Sequence, residues 1–419
     1  MQKKIFLAIL FIFLTDKSFS LTLNEAIDIS LKNNNSLMEQ EYKKTSQFYR
    51  YKASFDPYYP YLDLSIGYSN YLDSRLNPTV DNKGFYSGGL TLGYKIFDAK
   101  REPQKNSQRF VYLNEIYNTD IIRNELIKII KDNYYKAVND KEVLKIRQET
   151  FALAEKTYNL ALAKYDVGIA RISDVSQAKV SLENARLELI NAKNSLLKSL
   201  ADLSSLTGLN INEDDISDYL KSFTIPITEE EIKNIAFERR AEIIKEVIQE
   251  KRLEEEKKIT TSEFFPTINA SINYRRYDDK FFPSPDETTF GLSLTYNIFS
   301  GMGRFHRNTA FLSDISAQKK RIDETKRTIA LEIKKAIIDL NGGYEKLKIA
   351  EEIFNSAQKT YEQTFEEYRI GKGELINLLQ AETNLANAKI QKINALYNLY
   401  LYKNVLEKSA GIRNIEEIK

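Results

Sequence analysis

Four segments of the chain alternate strictly between apolar and polar residues. Leu62, Leu64, Ile66 and Tyr68 are interleaved with Asp63, Ser65, Gly67 and Ser69, and Leu90, Leu92, Tyr94 and Ile96 with Thr91, Gly93 and Lys95. The later half repeats the pattern: Ile268, Ala270, Ile272 and Tyr274 stand against Asn269, Ser271, Asn273 and Arg275, and Leu292, Leu294, Tyr296 and Ile298 against Ser293, Thr295 and Asn297. Successive side chains of a strand point to opposite faces, so each segment predicts a strand with one apolar and one polar face. A soluble sheet resting on a core and a barrel wall with lipid outside and water inside both fit; segments of about ten residues with aromatics near their ends match the second. Between the strands of each pair lie the turn-rich stretches 70–86 and 276–289, the latter with Pro283 and Pro285, which read as external hairpin loops. Pro57, Pro60 and Pro266 fall where the chain passes from helix to strand, as a residue without an N–H requires.

The remainder has the period of helices. No proline occurs between Pro103 and Pro226 or after Pro285. Two stretches, Ala99 to about Tyr165 and about Arg304 to Tyr368, are helix-compatible throughout; at 1.5 Å per residue, roughly 65 residues extend about 100 Å, beyond what one globular core encloses. Gly342-Gly343 predicts a local loosening of the second rod. Gly168 and Gly371 interrupt the rods where a left-handed turn ends a helix, and a second helix returns. Ala178, Leu182, Ala185, Leu189, Ala192 and Leu196 follow the 4,3 spacing of a heptad seam. The second copy keeps Ala381, Leu385, Ala388, Ala395 and Leu399 but places Lys392 in the seam, which predicts a face open to water or a partner. Thr228 and Glu231 form a capping box at a helix start.

These elements come in two copies. Tyr165, Gly168, Asp174, Gln177, Ala178, Leu182, Ala185 and Gly208 recur 203 residues later as Tyr368, Gly371, Asn377, Gln380, Ala381, Leu385, Ala388 and Gly411. Gly89 to Phe97 is answered by Gly291 to Phe299, and Ile29, Leu31 and Leu37 by Ile235, Phe237 and Ile243. Repeats of this length are not a short-period solenoid. The organisation predicted is a leader over 1–20, a first repeat over 21–211, a linker over 212–226 and a second repeat over 227–415, the two repeats interwoven in one body.

Composition sets the compartment and removes several chemistries. Lys3 and Lys4 precede an apolar run from Ile5 to Leu14, and Ser18-Phe19-Ser20 follows: a secretory signal peptide with cleavage expected after Ser20. That run is too short to span a bilayer as a helix. The chain has no cysteine, which excludes disulfides, thiolate metal sites, catalytic thiols and lipid attachment through cysteine. Its 61 basic and 59 acidic residues nearly cancel and give no reason to expect nucleic acid. His306 is the only histidine and builds no metal site alone. No catalytic set converges, so neither an enzyme nor a cofactor is expected. Four strands cannot close a barrel, and an open edge in lipid costs several kcal/mol per unpaired backbone group, so other chains must supply strands. Two copies would give eight strands and three twelve.

The duplicated strand-strand-helix-helix plan, with its Tyr-x-x-Gly, Asp-Val, Gln-Ala, Leu and Ala stretch, resembles the TolC family of outer-membrane efflux proteins over essentially the whole chain after the leader. The resemblance implies a mainly α fold with a β-barrel part: a homotrimer, four strands per chain in a shared twelve-stranded outer-membrane barrel, continuing into a long periplasmic α-helical barrel. It implies a passive channel-tunnel of a tripartite efflux pump or type I secretion system, working with a periplasmic adaptor and an inner-membrane transporter. A periplasmic coiled-coil adaptor is the rival reading; it predicts one helical hairpin rather than two, and no membrane strands. By the same resemblance Gly168 and Gly371 are the periplasmic tip turns, and Asp174 and Tyr368 occupy positions that link helices in the closed gate. The family's basic partner falls on Gly373, with Lys372 the substitute and Arg369 the weaker one. The acidic ring of the constriction falls on the neutral Asn377 and Gln380, with Glu374 one turn away. The exported substrate is not legible.

Overall fold

The computed structural model describes residues 21–70, 84–216, 218–225, 228–278 and 286–417. The leader, the centres of both hairpin loops with Pro283 and Pro285, and Pro226 of the linker lie outside these. In order the elements are α1 (Leu23–Asn33), α2 (Asn35–Ala53), β1 (Tyr61–Asn70), β2 (Gly84–Phe97), α3 (Arg101–Asp166), α4 (Ile172–Thr207), α5 (Glu229–Arg239), α6 (Ala241–Thr261), β3 (Thr267–Asp278), β4 (Asp286–Thr295), α7 (Gly303–Arg369) and α8 (Leu375–Ala410). The chain forms two compact units. Each draws on both halves of the sequence, and α3 and α7 contribute to both units.

One unit, Glu39–Ile121 with Arg240–Thr328, holds the sheet. Its four strands are antiparallel in the order β1-β2-β3-β4. Register lines up Leu62, Leu92, Ile272 and Phe290 as one row across all four strands, and Asp63, Thr91, Asn273 and Thr289 as the adjacent row. The alternation therefore sorts the sheet into an apolar and a polar face, as the period of two requires. Within the polar row the Thr91 hydroxyl donates to Asn273 Oδ1 at 2.9 Å. The apolar row has no protein cover: Leu62, Leu64, Ile66, Leu92, Phe290 and Leu292 are all exposed. Among the described residues of this chain, no core packs on that face.

Two details differ from the pattern reading. The strands run into the stretches that read as loops, because ladder pairing continues through Tyr68↔Tyr86 and Arg276↔Asp286 without apolar alternation. Conversely β4 stops at Thr295, so Tyr296 and Ile298 lie beyond the strand. Thr295 pairs with Thr267, the first residue of β3 after Pro266, and no partner strand extends further. The duplication repeats how strand hands over to helix. Arg101 donates to the Lys95 carbonyl, and its guanidinium lies 5.0 Å from the Tyr58 ring. Its counterpart Arg304, buried, donates to the carbonyls of Glu263 at 2.9 Å and Asn297 at 3.2 Å and lies 4.8 Å from the Phe264 ring.

The other unit, whose described residues fall within 21–38, 122–239 and 329–417, is helical. Ile130, Tyr134, Leu196, Leu203, Ile333 and Leu399 are among its fully buried side chains. Of the predicted seam, Ala178, Leu182, Ala192 and Leu196 are buried on α4, and Ala381, Leu385, Ala388 and Leu399 on α8. Gly208 and Gly411 end these helices in the left-handed conformation, at φ 72° and 70°. Lys392 is partly exposed, its ammonium 5.2 Å from the Phe354 ring and 3.5 Å from the Glu351 carboxylate, both on α7, so a long aliphatic stem carries the charge over the apolar surface toward water. Helix α7 does not loosen at Gly342-Gly343; it is helical throughout. A Cβ on Gly343 would come 2.8 Å from the Tyr402 ring and 3.1 Å from a Leu399 methyl, so glycine here serves close approach of α8. The Thr228–Glu231 box is present, with the Thr228 N–H and hydroxyl donating to Glu231 Oε2 at 2.9 and 2.8 Å.

Candidate gate at the two tip turns

Each rod ends in the same hydrogen-bonded turn. After α3 the Lys164 carbonyl accepts the N–H groups of Ile169 at 2.8 Å and Ala170 at 3.2 Å, while the Tyr165 carbonyl accepts Gly168 N–H at 2.9 Å. After α7 the Glu367 carbonyl accepts Lys372 and Gly373, both at 2.9 Å, and the Tyr368 carbonyl accepts Gly371 at 3.1 Å. Gly168 and Gly371 take φ of 78° and 80°, a region costly for any residue with a Cβ. The two turns are thus copies at the level of individual hydrogen bonds, with the two glycines at the predicted places.

The side chains around them are not copies. Tyr368 is only 5% exposed and packs in a cluster with Ala161 of α3, Ala178 of α4, and Leu375 and Leu378 of α8; its counterpart Tyr165 is 41% exposed. The Tyr368 hydroxyl finds no hydrogen-bond partner among the described residues. Burial, and the charge of Asp174 nearby, push the phenol above its usual pKa. Asp174 itself is turned to the start of α4, where its carboxylate accepts the N–H of Arg171 at 3.2 Å. A capped helix start is what an acidic residue in the first turn offers. Asp174 and Tyr368 are therefore brought into one neighbourhood without a hydrogen bond joining them.

Lys372 is exposed in the second turn and makes no ion pair among the described residues. Arg369 pairs along α7 with Glu366 at 2.5 Å. Glu374 precedes α8 and is exposed; Asn377 and Gln380 are exposed on its first turns, with Gln380 donating to Asn384 Oδ1 at 3.0 Å. The three constriction candidates thus share the beginning of one helix. Beside them lies a shallow groove of about 360 Å³ between α4 and α8, lined by Ser176, Gln177, Val180, Ser181, Ile376 and Leu379 among others. Val167, Ile169, Ile172, Ile370 and Ile376 at and beside the turns are exposed as well.

Two features escaped the reading of the sequence. Lys164 donates to the Tyr368 carbonyl, and its ammonium sits 4.2 Å from the Tyr368 ring centre. Its signal was the duplication itself, since the position 203 residues on carries Glu367, a reversal of charge. Further along α8, Glu382 is buried and accepts the Thr157 hydroxyl of α3 at 2.5 Å. Burial holds its carboxyl above the usual range, against the hydrogen bond that lowers it. A lone acid directly after the seam residue Ala381 was the available hint.

Among the described residues no helix is long and apolar enough to cross a membrane. Two long helical hairpins and a sheet with a bare apolar face are the features of the outer-membrane channel class. The chain belongs to the outer membrane efflux protein family, whose model matches residues 26–209 and 234–412. It is 21% identical over 406 residues to the outer membrane protein TolC of Salmonella enteritidis, covering 92% of this chain and 81% of that one. It is likewise 21% identical over 398 residues to protein CyaE of Bordetella pertussis, covering 89% and 80%. Among solved structures, the Campylobacter jejuni CmeC outer membrane channel superimposes with a TM-score of 0.79 at 21% identity, over 93% of this chain and 85% of that one. The adaptor alternative fails on the two hairpins and the four strands.

Proposed function

We propose that three copies of this chain close a twelve-stranded barrel in the outer membrane and a helical tunnel below it, forming a passive exit duct. The observation that carries this is the sheet. β1 and β4 are both edges, and the apolar row across the strands is bare. In hydrocarbon an open edge leaves backbone groups unpaired, so the strands need strands of other copies. Twelve leave a lumen, whereas eight would be filled by side chains.

The duct receives its cargo from an inner-membrane transporter through a periplasmic adaptor, in an efflux pump or a type I secretion system, and performs no chemistry of its own. The exposed apolar side chains around the tip turns and the groove between α4 and α8 support contact with neighbouring copies and the adaptor there. Asp174, Tyr368 and the two tip turns serve the gate, and Glu374, Asn377 and Gln380 line the constriction. The test is fractionation followed by mass measurement in detergent and insertion into planar bilayers. Recovery in the outer membrane as a trimer that forms pores is expected; a soluble monomer that forms none would overturn the reading.

A further inference from the structure

We propose that residues 412–416, which follow α8, form a strap across α1, α3 and α8, and that a buried ion pair between Lys131 and Glu407 is the latch that holds it down. All of its parts lie within the helical unit, so it stands whether or not copies of the chain form a tunnel. The Lys131 ammonium lies 2.5 Å from Glu407 Oε2, and the two side chains are 8% and 2% exposed. Each partner also grips the backbone of the strap. Lys131 donates to the Arg413 carbonyl, and Glu407 Oε1 accepts the Ile415 N–H at 3.0 Å. The Ile415 side chain is itself buried. At the rim, Arg413 pairs with Asp28 of α1 at 2.8 Å, and Lys403 of α8 pairs with Glu416. A polar cavity of about 240 Å³ borders the latch, with Tyr135, Lys403 and Asn404 in its wall.

Burying two charges is costly, and their attraction offsets the cost only where their remaining hydrogen-bonding capacity is filled. Here the strap fills it, through one carbonyl for the ammonium and one N–H for the carboxylate. Pair and strap therefore depend on each other: without Lys131, the Glu407 carboxylate and the Arg413 carbonyl lose their shared donor in the interior. The rim pair of Arg413 and Asp28 is 44% and 66% exposed, a setting in which ion pairs contribute little. The duplication shows that the turn itself does not require these charges. In the other repeat the positions of Lys131 and Glu407 carry Lys334 and Ser204. Lys334 is exposed, and the Ser204 hydroxyl accepts the Ile211 N–H at 3.1 Å, a neutral counterpart of the Glu407 contact. The chain after α4 thus folds back on a hydroxyl, and the chain after α8 on a buried charge pair.

Because the chain has no cysteine, one introduced at Ile415 reports on the strap, and one at Ala154, buried further along α3, reports on the rest of the unit. In purified Ile415→Cys protein, maleimide labelling is expected to be slow; fast labelling would show that the strap is not held. Adding Lys131→Met should speed it roughly a hundredfold or more, the scale of stranding one charge of a buried pair. Arg413→Gln should speed it less than about fivefold, the scale of an exposed pair. An effect of Lys131→Met no larger than that of Arg413→Gln would overturn the latch. Labelling of Ala154→Cys should stay slow with Lys131→Met present. Equal acceleration at both cysteines would mean that the pair holds the whole unit rather than the strap, and would overturn the proposal as well. Combining Lys131→Met with Glu407→Leu should accelerate Ile415→Cys by less than the product of the two single effects, since each change removes the same pair. Effects that simply multiply would show that the two residues act independently.

Discussion

Adjacent glycines in α7 show how far one position can differ from the next. Gly342 has open space where a Cβ would be, and Gly343 has Tyr402 and Leu399 against it. Gly342→Ala should stabilise the protein by about 1 kcal/mol, the helix propensity gained. Gly343→Ala gains the same propensity but overpacks the contact with α8, typically at ~1–3 kcal/mol, and should give the less stable protein of the two. Thermal melts of the two variants in one detergent check the order. Glu382 makes the second prediction. The groups facing it are the Thr157 hydroxyl of α3, which donates to it, and Tyr361 of α7, a phenol pushed up to about 12 by burial and by the Glu382 charge. Its carboxyl is raised in the folded state, so folding takes up a proton. The stability it contributes is present below the ordinary carboxylate pKa and lost as pH rises through the folded value. Glu382→Gln should therefore raise the melting temperature at pH 8, with the advantage vanishing in acid. A variant less stable than the parent at pH 8 would show that the carboxylate is accommodated after all.

At the scale of elements, the sequence was most readable where a period runs long. The four strands and both rods appear within a few residues of where alternation and uninterrupted helix period put them, because a period of two and one of 3.6 cannot be mistaken over ten residues or sixty. The errors arise where pairing or packing, not pattern, decides. Tyr296 and Ile298 alternate correctly but outrun their partner strand, and Gly342-Gly343 lowers intrinsic helix propensity yet lets α8 approach. Of the proposed gate, Gly168 and Gly371 were legible from the repeat, and Asp174 and Tyr368 from the family resemblance. Lys164 was not, since a lysine at a helix end reads as a solvated charge until the carbonyl it reaches is known. The proposed constriction yields its own prediction. Asn377 and Gln380 are neutral, and rings of carboxylates are what draw cations into a pore. A trivalent cation should block conductance only weakly, and Glu374→Gln should remove whatever block there is. Strong block that survives Glu374→Gln would place the constriction elsewhere.

For the whole molecule the decisive property is that the sheet is unfinished on its own. Leu92 belongs to the row of apolar residues that spans all four strands, and its neighbour Thr91 to the polar row on the opposite face. If lipid lies against the first face and water against the second, the same charge should have opposite consequences one residue apart. Leu92→Arg places a guanidinium toward hydrocarbon, at a cost of about 2–4 kcal/mol per chain near the midplane of the bilayer and less toward its surfaces. Repeated by symmetry in each copy of a trimer, that cost should sharply reduce the assembled protein recovered from outer membranes. Thr91→Arg points into the water-filled lumen and should leave assembly intact while altering the ion selectivity of the pore. Both residues sit on the same strand in the same ladder, so general damage to folding would affect them alike. A sheet that tolerates arginine at Leu92 and not at Thr91 would have its faces reversed, and a barrel with that orientation could not be the wall of a conduit.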